Sequence, residues 1–357
     1  MKELYEYKLE LLYYGVSISE RCYNSLKKGK NGKINNNDYI TTKGLMIALD
    51  NWLYVNANLN PNSPYSIDYE NNIHVLRNRN DKICKVQIKQ PPEFALKEQS
   101  LPNGKLITEL VNIHGDRIRI QPIQGCANHC KFCNINKFGN YDEHSIKDLD
   151  DSVQYAIENV GFKHALISGG TPQENNESYK YLNKVYKHFG EKYGKEYPID
   201  IMMVPRGLTI EENNEGGYLK LLKQLKQWNI SGVYANLELY NDSYRKKYIP
   251  QKDSVGKEKY FKFIRLAVEI FGRENIKSCI IIGLEKVEDS LKAVEELSKL
   301  GCTTILSPYI PNDNETTFPK PELMKEVLLK SKEIVDKYNI ELGPKCDSCR
   351  HNTIHFK

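Results

Sequence analysis

Residues 163–189 read KHALISGGTPQENNESYKYLNKVYKHF. A short apolar run ends in two glycines, and a helical pattern over Ser178–Phe189 follows. The same unit recurs along the second half of the chain. RIRIQPI (117–123) precedes a helical pattern at Ile146–Val160, and IDIMMVP (199–205) precedes Tyr218–Trp228. GVYANLEL (232–239) precedes Lys257–Phe271, KSCIIIG (277–283) precedes Val287–Leu300, and TTILSPYI (303–310) precedes Pro321–Tyr338. A short IELGP (340–344) offers a seventh strand. Six β-α units in series imply a parallel sheet with helices outside, doubly wound or closed. The fold class expected is α/β, a partial or complete (β/α) barrel of TIM type over residues 113–344. Functional groups should then sit on loops at the C-terminal ends of the strands.

Residues 1–112 are read as an accessory α+β region. Leu4, Leu9, Leu11 and Leu12 suggest an opening helix, and KKGKNGKINNNDY (27–39) a loop. Leu45, Leu49 and Leu53 at four-residue spacing predict a helix over Thr42–Val55. NANLNPNSPYS (56–66) reads as a turn-rich linker, and the alternation over Ile73–Gln90 as a hairpin. Residues 345–357 form a Cys/His tail.

The 357 residues carry 51 Lys and Arg against 46 Asp and Glu, a net +5 too mild and dispersed to suggest a nucleic-acid partner. No apolar run reaches the roughly 18–20 residues of a membrane span. The opening MKELYEYKLELLYYG lacks a cleavage signature, so a cytoplasmic location is expected. Nine cysteines, an odd number without a secretory signal, point to reduced thiols, metal ligation or catalysis rather than a disulfide framework.

Three of them, Cys126, Cys130 and Cys133, lie in GCANHCKFC directly after the first barrel strand. Three thiolates on one loop repel each other unless a cation holds them. A cubane iron–sulfur cluster would leave one iron without a protein ligand, whereas structural zinc would need His129 or a distant residue as fourth ligand. C-x3-C-x2-C with Phe132 before its last cysteine resembles the signature of the radical S-adenosylmethionine superfamily. That resemblance implies a [4Fe–4S] cluster on the three cysteines, with S-adenosylmethionine on the open iron. It also implies reductive cleavage of the sulfonium to a 5′-deoxyadenosyl radical, and an electron donor such as flavodoxin or ferredoxin.

Other strand ends extend the resemblance over roughly Arg117–Phe318. Gly169 and Gly170 resemble the family's GGE-type contact with the methionyl amine. Thr171 stands where glutamate is common, so a main-chain contact is implied; a tight β-α turn is the simpler alternative. Alternation in GVYANLEL turns Asn236 and Glu238 into the barrel lumen and Ala235, Leu237 and Leu239 towards the helices. The polar pair is similar to the N-x-D pair of biotin synthase and its relatives, and a water-linked structural pair is the alternative. Gly283 and Leu284 resemble the region that packs near adenine. Arg206 or Arg245 would suit the methionyl carboxylate, unless each is a solvated surface arginine. The resemblance implies hydrogen abstraction from a small-molecule substrate in a biotin-synthase-like branch. Transfer of a 3-amino-3-carboxypropyl group, or a non-catalytic zinc- or RNA-binding role, are the rivals.

The tail GPKCDSCRHNTIHF pairs Cys346 with Cys349 and adds His351 and His355. If IELGP is a barrel strand, this pair is expected on the same face as the cluster. It reads as a second metal site with ligands from elsewhere, a redox dithiol or a hold on a thiophilic substrate. Cys22, Cys84, Cys279 and Cys302 carry no partner motif, with Cys279 and Cys302 reading as small buried hydrophobes, and His114, His144, His164 and His188 need no special function.

Overall fold

The computed structural model describes residues 2–30, 32, 34, 44–135, 139–311 and 317–356. Most of the loop expected over 27–39 and the middle of the loop after the sixth barrel strand lie outside these residues.

The repeated β-α units fold into one seven-stranded sheet. Its six parallel strands run in chain order: Arg117–Ile120, His164–Ile167, Ile199–Met202, Gly232–Tyr234, Ile276–Ile282 and Thr303–Pro308. A seventh, Val111–His114, pairs antiparallel with Arg117–Ile120 and forms one edge. The sheet is a curled half-barrel, not a closed ring. The anticipated strand at IELGP is reduced to a single bridge, Gly343 to Ile305, with the Gly343 amide donating to the Thr304 carbonyl at 2.9 Å.

The helices follow from amphipathic spacing and side-chain caps. Ser145, Asn175 and Asn214 accept from the backbone amides of Asp148, Ser178 and Gly217, opening the helices Ile146–Asn159, Asn176–Tyr193 and Glu215–Gln227. Their apolar stripes, such as Leu221, Leu222 and Leu225, are wholly buried against the sheet.

The accessory region is a six-stranded sheet preceded by the helix Leu4–Tyr14. Thr42–Val55 is not the expected helix. Leu45–Leu49 and Leu53–Ala57 form an antiparallel hairpin, turned at Asp50 and Asn51, whose φ values are 45° and 67°. Leu45–Leu49 is buried on both faces, so its apolar residues show no alternation and mimic a helical stripe. Tyr65–Glu70, at the end of the expected linker, is also a strand, and it pairs with Ile73–Asn78.

Accessory region and tail complete the wall that the half-barrel leaves open. Leu12, Asn56 and Asn58 from the first, with Pro344, Cys349 and Thr353 from the second, line a lumenal cavity of about 260 Å³. No helix among the described residues is long and apolar enough to cross a membrane.

Candidate functional site

The first parallel strand gives way to a two-residue ribbon, Ile123–Gln124 against Asp142–Glu143, and then to Gly125 at φ 67°. A Cβ on Gly125 would lie 2.9 Å from the Tyr141 nitrogen, so the sharp entry into the cysteine loop requires glycine. The loop is seated on the next strand end. Ala127 donates to the Thr171 carbonyl at 3.0 Å, and Asn128 Nδ2 to Thr171 Oγ1 at 3.1 Å. Gly169 and Gly170 permit that seat: a Cβ on Gly170 would stand 1.8 Å from the Gly125 carbonyl oxygen, and one on Gly169 2.8 Å from that of Ile123. Close backbone packing of two loops is therefore one reason for the glycine pair.

Cys126, Cys130 and Cys133 all line a cavity of about 190 Å³, together with Gly169, Gly170 and Thr171. Cys126 Sγ accepts from two backbone amides, Thr171 at 3.1 Å and Asn128 at 3.3 Å. Burial pushes the Cys130 thiol up to about 12, and burial likewise raises Cys133. Two half-buried thiols, beside a sulfur already facing two amide donors, suit a bound cation that would hold all three as thiolates. Donor atoms of a single tetrahedral ion stand roughly 3.3–3.8 Å apart, given bonds of about 2.0–2.3 Å. Among the described residues the set that closes to within 4.8 Å is Asp116, His164, Cys346 and Cys349, not the three loop cysteines. Three thiolates presented by one loop suit a multi-iron cluster, whose corners bind one thiolate each. His129 is exposed and does not line the cavity.

Asn236 and Glu238 stand on the wall of the same cavity, while Ala235, Leu237 and Leu239 are fully buried behind them. Asn236 Oδ1 accepts from the Cys279 amide at 3.1 Å. Glu238 sits at φ 66° and holds Lys252 Nζ at 2.6 Å. Burial pulls the Lys252 ammonium down, but the Glu238 carboxylate more than offsets it and leaves the pKa raised. Lys252 was not anticipated. It lies on the short helix Pro250–Val255, outside every β-α unit, so no periodic pattern marks it.

Both arginines depart from expectation. Arg245 is wholly buried away from the cavity, its guanidinium donating to the carbonyls of Leu237 and Leu239 at 2.9 Å each. It braces the fourth strand end and pairs with the Asp253 carboxylate at 3.5 Å, so it does not face a carboxylate bound in the cavity. Arg206 lies on the cavity wall, with its two terminal nitrogens on the Gly207 carbonyl and Asn183 Oδ1, its Nε buried without a partner among the described residues, and the rings of Tyr179 and Tyr186 beneath it. Neither is a solvated surface residue. Leu284 packs with Leu239, Tyr248 and Ile281 beside Cys130 and Phe132, and Gly283, at φ 104°, faces Pro319.

The two cavities share Arg119, Ser168, Met202 and Asn236, so the cysteine pocket continues into the lumen. Cys279 lines that lumen rather than sitting in the apolar core. The tail pair also departs from expectation. Cys349 lines the lumen, but its neighbours Asp116 and His164 mark the N-terminal ends of the first two parallel strands. The tail therefore approaches the end of the barrel opposite the cysteine loop. About four residues at about 3.3 Å each separate Asp116 from the strand's far end, roughly 13 Å. The reason is direction: Gly343 meets Ile305 in mid-strand, and the chain beyond it turns back under the sheet instead of running on to the loop face.

No curated protein sequence matches the chain. Among solved structures, a radical SAM methyltransferase from Sphaerobacter thermophilus is 15% identical, with a TM-score of 0.48 over 71% of this chain and 78% of that one. The FeFe-hydrogenase maturase HydG from Carboxydothermus hydrogenoformans is 18% identical, with a TM-score of 0.48 over 67% and 58%. SuiB of Streptococcus suis, bound to S-adenosylmethionine, is 14% identical, with a TM-score of 0.48 over 68% and 53%. The chain thus spans little more than half the length of the latter two. The family model for the radical SAM superfamily matches residues 120–320, more than half of the chain and the whole run from the first parallel strand to the loop after the sixth. The chain belongs to the radical SAM superfamily.

Proposed function

We propose that Cys126, Cys130 and Cys133 hold a [4Fe–4S] cluster and that S-adenosylmethionine lies across the cavity they line. When bound, the cluster supplies the electron that cleaves the sulfonium of S-adenosylmethionine. The backbone of Gly169, Gly170 and Thr171 faces the methionyl end. Asn236 and Glu238 offer the cofactor's ribose an amide and a carboxylate, as the N-x-D pair does in the biotin-synthase-like branch. Lys252 holds the Glu238 carboxylate in place at 2.6 Å. Leu284 and the Gly283 turn form an apolar flank for adenine.

The observation that carries this reading is the continuity of the cysteine pocket with the lumen below it. A small-molecule substrate in the lumen would lie directly under the cofactor, and the accessory region and tail would exclude water from it. Hydrogen abstraction from that substrate is the chemistry proposed, with an external donor such as flavodoxin or ferredoxin, in a cytoplasmic enzyme.

Anaerobic reconstitution tests it. Wild type should bind about four irons at this site and, given reductant, convert S-adenosylmethionine to 5′-deoxyadenosine and methionine. Cys130→Ala should lose the iron and the visible absorption. Methylthioadenosine as product would replace hydrogen abstraction with aminocarboxypropyl transfer. A colourless protein that leaves S-adenosylmethionine intact would overturn the reading.

A further inference from the structure

The tail pair is brought to two residues far away in sequence. Cys346 Sγ lies 2.9 Å from Asp116 Oδ1, Cys349 Sγ 3.7 Å from His164 Nε2, and His164 Nε2 3.6 Å from Asp116 Oδ1. All four donor atoms fall within 4.8 Å of one another. These separations are within a few tenths of an ångström to about one ångström of the roughly 3.3–3.8 Å that a tetrahedral ion imposes on its ligands.

A second observation concerns the way the cysteines are presented. The Cys349 amide points at Cys346 Sγ at 3.3 Å and also meets the Cys346 carbonyl at 3.1 Å. The Cys346 thiol donates to Asp116 Oδ1, and the amide three residues on gives the same sulfur a donor once a cation displaces that proton. Cys126 at the other end of the barrel receives amides in the same manner. Ser348 Oγ donates to Asp116 Oδ1 at 2.6 Å and holds that carboxylate in place, an outer-shell contact of the kind that orients metal ligands. The segment is tightly seated: a Cβ on Gly115 would stand 2.3 Å from the Ser348 side chain.

We propose that Asp116, His164, Cys346 and Cys349 form a closed, four-coordinate zinc site that fixes the tail as the floor of the lumen. Two thiolates, an imidazole and a carboxylate in tetrahedral reach select zinc over magnesium or calcium, which take oxygen ligands. Binding needs both thiols and the His164 imidazolium deprotonated, and their protons pass to solvent. All four positions are filled by protein, so the ion is structural and not a Lewis acid for the substrate. Its place at the N-terminal strand ends agrees, because that end of a (β/α) barrel serves stability. The site stands on different residues from the iron–sulfur loop, and either assignment can fail without the other.

The test uses the full chain, purified anaerobically from zinc-supplemented cultures and then reconstituted with iron and sulfide. About one zinc per chain is expected. Zinc K-edge absorption should fit two sulfur and two nitrogen or oxygen neighbours, at about 2.3 and 2.0 Å. His164→Ala and the Cys346→Ser/Cys349→Ser variant should each lose the zinc and keep the wild-type iron count, while Cys130→Ala should lose iron and keep zinc. If the tail variants do not fold, the wild-type stoichiometry and edge spectrum decide alone. Wild type free of zinc, an all-sulfur shell, or a Cys346–Cys349 disulfide seen as a two-dalton mass loss would overturn the proposal. So would a fall of about four irons in the double variant, the mark of a second cubane.

Discussion

Glu238 shows how one side chain links backbone, charge and cavity. Its φ of 66° is unusual for a residue other than glycine, and it sits where the fourth strand, regularly paired only to Tyr234, resumes as a bridge to Ile280. That conformation directs the carboxylate to Lys252, and both side chains are about nine-tenths shielded from solvent. Breaking such a pair from one side strands the remaining charge. Glu238→Gln is therefore expected to cost about 3 kcal/mol, read in chemical denaturation. Adding Lys252→Met to it should restore most of that loss, since the stranded ammonium is then gone. Equal destabilisation in the single and double variants would refute a charge-based cause. The polar character of Glu238 was legible from strand alternation, whereas its partner was not. Nothing local distinguishes Lys252 from the other lysines of a lysine-rich chain.

At the scale of elements, the strand-end loops depend on backbone contact. Gly170→Ala would drive a Cβ into the Gly125 carbonyl and the Cys126 Cα, 1.8 and 2.7 Å away. Neither is a flexible side-chain end, so the cysteine loop must move. Iron bound after reconstitution should fall by more than half. Gly216→Ala, in the helix Glu215–Gln227 with nothing nearer than 3.5 Å, should keep full iron and gain a few tenths of a kcal/mol. Iron content unchanged in Gly170→Ala would mean that the two loops do not support each other. The β-α units could be read because each carries its own periodicity. The hairpin at residues 45–57 could not, since burial on both faces removes the alternation that marks a strand.

Across the whole molecule, the two termini meet and close what the sheet leaves open. Lys8, fully buried on the first helix, donates to the carbonyls of Arg350 and His355 at 2.8 and 2.6 Å. The His355 imidazole is itself buried, and burial, followed by the nearby Arg350 and Lys8 charges, pulls its pKa down to about 2. An unfolded histidine takes up a proton near about pH 6.5, whereas this folded one does not. The unfolded state therefore binds more protons as the pH falls. The stability that His355 contributes is full above about 6.5 and declines below it, by about 2 kcal/mol between pH 7 and pH 5. Melting temperatures of wild type and His355→Asn at those two pH values check this. A drop of the same size in both would exclude His355 as its source.

The sequence by itself determined the elements that carry local patterns: six β-α units, a cysteine loop at the end of the first strand and a polar pair on the fourth. Periodicity and spacing act over a few residues and leave their mark in the chain. Tertiary structure decided what depends on distant contacts. It left the barrel half open, with accessory strands and tail for its missing wall, and turned Arg245 inward to brace carbonyls. It also carried Cys346 and Cys349 to Asp116 and His164, more than 180 residues away in sequence, at the end of the barrel remote from the cysteine loop. No local signal encodes that last placement, because it follows from the direction in which the chain leaves Gly343 and from packing around the turn at Gly115.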